Sequence, residues 1–162
     1  MCKSWKVLLA ILPCLLAPLG CVANEALQYN NDVAGVTREL QAAGKEFGEK
    51  LRSSQGNAAK SKQVYDEAAK NAATLIKRGK ALTPPNTPEG KALHKALQSY
   101  LQTQDQIIRV DFANIARYVG QNKMYAIAPI IEAAQRQEQP KVEQLKSAQQ
   151  AFAKAHNIHI LY

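Results

Sequence analysis

At 162 residues the chain is long enough for one domain with a real core and too short for two. It is rich in Ala, Gln, Lys and Leu and poor in β-branched runs, which favours helices over sheets. Its net charge of +8 includes a basic cluster at 77–95 with no aromatic side chains interleaved among the basic ones there, so no nucleic-acid partner is expected.

Residues 1–21 have the three parts of an export signal. Lys3 and Lys6 give a positive flank, Val7 to Leu19 an apolar run, and the small residue Gly20 stands just before Cys21. The run is about 13 residues, well short of the ~20 needed to span a bilayer as a helix, and Pro13 and Pro18 interrupt it. It reads as a leader, 1–20, ahead of a domain at 21–162. Its removal discards Cys2, Cys14 and Trp5 and leaves Cys21 as the one cysteine, so no internal disulfide is expected.

The stretch Ala17-Pro18-Leu19-Gly20-Cys21, with Leu15 and Leu16 upstream, resembles the lipobox of bacterial lipoproteins. The resemblance implies cleavage between Gly20 and Cys21, a diacylglycerol on the Cys21 sulfur and an acyl chain on its new amino group. Two or three chains, at ~0.8 kcal/mol per buried CH₂, hold a protein to a bilayer essentially permanently. Val22, with no aspartate at that place, implies the outer membrane facing the periplasm in a Gram-negative host, or the outer face of the single membrane in a Gram-positive one. The alternative is an ordinary secretory signal cut after Gly20 or Ala23, with Cys21 incidental.

Beyond the leader the chain reads as four helices. Over 24–53, Val33, Val36, Leu40, Ala43, Phe47 and Leu51 recur at steps of three and four and form one stripe. Gly56 suits the left-handed position after this helix, and Asn57 the cap of the next. Over 58–82 the seam is Val64, Ala68, Ala72, Leu75 and Leu82, ended by the Pro-rich stretch 83–88. Thr87-Pro88-Glu89 starts a third helix at 88–120, with Leu93, Leu97, Leu101, Ile108, Phe112, Ile115 and Val119 inward. Gln104 falls on that stripe as a buried polar group in need of a partner. The fourth, 123–156, carries Met124, Ile127, Ile131, Ala134, Val142, Leu145, Ala148, Phe152 and Ala155. Pro129 predicts an irregular entry and Pro140 a kink or a split. The apolar tail 156–162 is expected to tuck against the bundle end. Similar lengths and short turns predict an all-α, up-down-up-down four-helix bundle.

No catalytic constellation stands out. Haem attachment through Cys-x-x-Cys-His, paired Glu-x-x-His metal motifs, a Gly-x-Ser-x-Gly turn and a strand-linked Gly-rich loop are all missing from the sequence, so no enzyme activity and no cofactor are expected. An antiparallel bundle would bring His94 near His156 and His159, making these three the weak candidates for a metal site. Lys77, Arg78, Lys80, Lys91 and Lys95 crowd the Pro-rich turn. If the first helix rises from the anchor, that turn returns to the membrane side, where each basic residue near anionic headgroups is worth ~1 kcal/mol. The expected role is a membrane-anchored, non-enzymatic interaction or scaffolding protein with an envelope protein as partner. The alternative is a periplasmic bundle that binds a metal or a small ligand.

Overall fold

The computed structural model describes residues 19–159, with side chains from residue 24 onward. They form an all-α helical bundle. The elements are α1 (Leu19–Arg52), α2 (Ala58–Lys80), α3 (Pro88–Gln106), a π-helical segment (Ile107–Phe112), α4 (Ala113–Gly120), a 3₁₀ turn (Met124–Ala126) and α5 (Ala128–Ala155). No strand occurs among the described residues, and no helix there is long and apolar enough to cross a membrane. The helix expected at 88–120 is one rod, α3 running through the π segment into α4.

Local chemistry sets the turns where the sequence puts them. Gly56 adopts φ +74°, a region that costs a glycine nothing, and the Asn57 side chain accepts from the Lys60 amide at 2.9 Å. The Thr87 hydroxyl accepts from the Gly90 amide at 3.0 Å, with Pro88 in the first turn of α3. The α1–α2 turn docks on the end of α4. There the Gly56 amide donates to the Val119 carbonyl at 3.0 Å, and a Cβ on Gly120 would lie 2.8 Å from the Ala58 Cα. Only glycine permits that approach.

Two apolar clusters fill the interior. One gathers Val33, Val36, Leu93, Leu97, Leu101 and Phe152, all nearly inaccessible. The other gathers Phe47, Leu51, Val64, Ala116, Val119 and Ile127. Phe112 packs against both, its ring stacked on Phe47 at 4.3 Å between centroids. Each fully buried side chain of this size is worth roughly 1.5–3 kcal/mol, so the stripes of α1, α2 and α3 hold most of the fold.

Of the kink or split expected at Pro140, no split forms: α5 is continuous through the proline, which is solvent-exposed. The expected stripe, by contrast, is only partly covered. Ile127, Leu145 and Phe152 are buried, whereas Met124, Ile131 and Ala155 are exposed, the first two at 46% and 43%. The cause is placement: α5 packs chiefly along α3. The contacts that join it to α1 lie toward its C-terminal end, where Gln149 donates to Asn30 at 3.2 Å and Phe152 meets Tyr29 edge-on. In the tail, Ile158 packs on the first cluster, and residues 160–162 lie outside the described ones.

Candidate functional site

Of the expected leader, 1–20, residues 1–18 lie outside the described residues, and of Gly20 and Cys21 only the backbone is described, in the first turn of α1. The Pro-rich turn sits against the start of the same helix. Leu82, Pro84 and Pro85 face Gln28, Tyr29 and Asp32 across an open hollow of about 530 Å³. Lys77, Arg78 and Lys80 close α2, Lys91 and Lys95 open α3, and all five are exposed. The patch is less basic than its residue list. Arg78 donates to Glu39 at 2.7 Å and holds that carboxyl below its ordinary range, while Glu25 and Asp32 line the adjoining hollow.

The three histidines do not assemble. Rings contact one another in the order His94, Tyr29, Phe152, His156, so aromatic side chains fill the space a shared ion would need. His94 is already engaged, with Nδ1 3.1 Å from the Tyr29 hydroxyl and Nε2 3.2 Å from the Gln98 amide nitrogen. His159 is exposed on the tail. Among the described residues no three of His, Cys, Asp and Glu come close enough together to hold a metal ion. The weak candidates His94, His156 and His159 therefore form no metal site among the described residues.

What the fold does build is a cleft on its fourth side, where α1 and α5 diverge. It has two adjoining lobes of about 290 and 310 Å³ that share Gly44, Phe112, Ile115 and Ile131. The floor is the rod of α3, the π segment and α4. A π-helical segment adds a residue to the turn, and here the neighbours Ile107 and Ile108 are both buried at the floor. On the α1 wall a Cβ on Gly48 would meet nothing within 4 Å, and one on Gly44 only the tip of Phe112 at 3.8 Å. These glycines keep the wall low rather than close to a neighbour.

One lobe ends in polar groups. Tyr100 is 1% exposed, lines that lobe, and its hydroxyl has no hydrogen-bond partner among the described residues. A buried hydroxyl left in this state costs about 1–3 kcal/mol. Burial raises its pKa, and the nearby Glu138 carboxylate raises it further. Gln104, the polar residue on the apolar stripe, donates to Glu138 at 2.7 Å, which is the partner it needs. At the other lobe the lining is almost wholly apolar, with Arg52 and Gln55 at the mouth and Met124 on the rim.

The cleft combines a hydrogen-bonding end with an apolar body, features shared by small-molecule sites. Sequence reasoning named Gln104, Phe112, Ile115 and Ile131 as core and passed over Glu138, Gly44 and Gly48. The available signal was Tyr100 standing four residues before Gln104 on one helical face. Set beside known protein families, curated proteins and solved structures, the chain matches none.

Proposed function

We propose that this chain is a cell-envelope lipoprotein, tied to a membrane through Cys21, whose bundle has a non-enzymatic role in binding or scaffolding another envelope component. The observation that carries the reading is Gly20-Cys21 at the end of a short apolar run, with no other cysteine after it. α1 is helical from Leu19 onward, which leaves no flexible tether and would hold the bundle against the bilayer. The Pro-rich turn lies beside the start of α1, so Lys77, Lys80, Lys91 and Lys95 would face the headgroups.

The test is the intact mass of the protein extracted from membranes of its host, beside Cys21→Ser. The expected wild-type mass is that of the chain from Cys21 plus acyl chains, and the variant is expected in the soluble fraction. An unacylated wild-type mass, or a variant that stays with the membrane, overturns the anchor. Crosslinking in intact cells tests the binding role, and failure to capture any envelope component counts against scaffolding. The ligand-binding alternative draws on one specific observation, the cleft between α1 and α5, and needs no metal.

A further inference from the structure

Each lobe of the cleft holds about 300 Å³. That volume falls within the range of small-molecule sites. The lining is also uneven in a way that specifies a ligand. Phe112, Ile115 and Ile131 offer it an apolar body, Tyr100, Gln104 and Glu138 offer hydrogen bonds at one end, and Arg52 and Gln55 stand at the mouth of the other. Leu40 and Leu51 are the outermost large apolar residues of the α1 wall, eleven residues or about 16 Å apart at 1.5 Å per residue. An extended chain gains about 1.2 Å per bond, so some twelve to thirteen bonds span it.

The head is fixed by the groups that meet it. Glu138 is an acceptor when ionised, and one of its oxygens is already taken by Gln104. An anionic head placed there meets like charge in a partly buried setting, while an ammonium or a hydroxyl can donate to it. Tyr100 completes the site, since its hydroxyl can donate or accept and nothing among the described residues engages it. The low wall at Gly44 and Gly48 leaves room for the chain.

We propose that the cleft between α1 and α5 binds a single-chain amphiphile with an uncharged or cationic hydrogen-bonding head, the head on Tyr100 and Glu138 and the chain along Phe112, Ile115 and Ile131. It stands independently of the anchor, because every residue it uses lies well beyond Cys21. A site of this kind carries or senses an amphiphile and does not transform it.

The experiment is isothermal titration of the full-length Cys21→Ser chain, prepared without detergent, with decylamine, 1-decanol and decanoate below their critical micelle concentrations. Decylamine and decanol are expected to bind one per chain in the micromolar range, and decanoate at least tenfold more weakly. Glu138→Gln should bring decanoate to within about threefold of decanol. Tyr100→Phe should weaken decanol about tenfold while the Tm stays level or rises, which shows the variant folded. Gly48→Trp should fill the cleft and abolish binding of all three probes, and Gly48→Leu serves if the tryptophan disturbs the helix content. Equal binding of the three probes that ignores Glu138→Gln would mean unspecific apolar adsorption and overturn the proposal, as would no binding at saturating probe. A dimer in light scattering that Gly48→Trp converts to monomer would make the cleft an interface between copies, and would overturn it too.

Discussion

Tyr29 and Tyr100 are both nearly inaccessible phenols, and they differ in what reaches their hydroxyls. Tyr29 Oη lies 3.1 Å from His94 Nδ1, and burial pushes its pKa up to about 12. Tyr100 has no such partner, and burial with Glu138 nearby raises its pKa as well. Both shifts mean that the folded chain keeps a proton the unfolded chain gives up near pH 10. Below pH 10 the phenols are neutral in both states and add no pH dependence. Between about 10 and 12 the unfolded state ionises first, so stability falls as pH rises. Urea unfolding at pH 9 and at pH 11 should show a larger drop in midpoint for the wild type than for Tyr29→Phe/Tyr100→Phe. The double variant also supplies the lysine background common to both proteins. Equal drops would mean that neither hydroxyl is held neutral by the fold.

Among the elements, α5 carries the clearest conflict between local propensity and packing. Pro140 inside a helix removes one donor and crowds the carbonyl four residues back, at roughly 3 kcal/mol relative to alanine. The helix persists because Val142, Leu145, Ala148 and Phe152 pack beyond it on the first cluster. Pro140→Ala should therefore stabilise the domain, by about 1–3 kcal/mol after allowing for the freer unfolded chain, a rise of several degrees in Tm. A lower Tm would show that the proline's geometry is required by the packing of α5. The caps and breaks were legible in the sequence because they are local: Gly56, Asn57, Thr87 and Pro88 act within one turn of themselves. The stripes of α1, α2 and α3 were legible for the same reason, through spacing alone. What spacing does not encode is whether a neighbour covers a stripe. Met124 and Ile131 have the periodicity of core residues and stand exposed on the cleft. The π segment was equally silent, since Ile107-Ile108 reads as one inward and one flanking position on an unbroken α-helix, yet both are buried. The cleft follows from these two features, so its residues appeared in the sequence only as ordinary core. The histidine end was legible only as a rough neighbourhood, because the rings of Tyr29 and Phe152 that stand between His94 and His156 are placed by packing and not by spacing.

For the whole molecule, the open side decides which part of the bundle is least stable. α1 and α2 bury Val33, Val36, Leu40, Ala72, Leu75 and Ile76 together, and α2 closes on α4 through Gly120 at the far end. α5 rests mainly on α3, joined to α1 through Asn30–Gln149 and Tyr29–Phe152 near its C-terminal end. Its first half, about 128–140, has the cleft on one side and solvent on the other, with Pro140 weakening the ladder between the halves. Local opening follows low apolar burial, so hydrogen exchange should proceed faster in 128–140 than in 141–155, and faster there than across 33–51 or 64–79. The low wall at Gly48 makes the cause testable in the same measurement. Gly48→Trp gives α5 a surface to rest on and should slow exchange in 128–140 severalfold while leaving 64–79 unchanged. If 128–140 is already as protected as the rest, α5 is held across the cleft more firmly than its contacts with α1 allow. If Gly48→Trp slows exchange everywhere alike, the bundle opens only as a unit and the cleft is not its weak side.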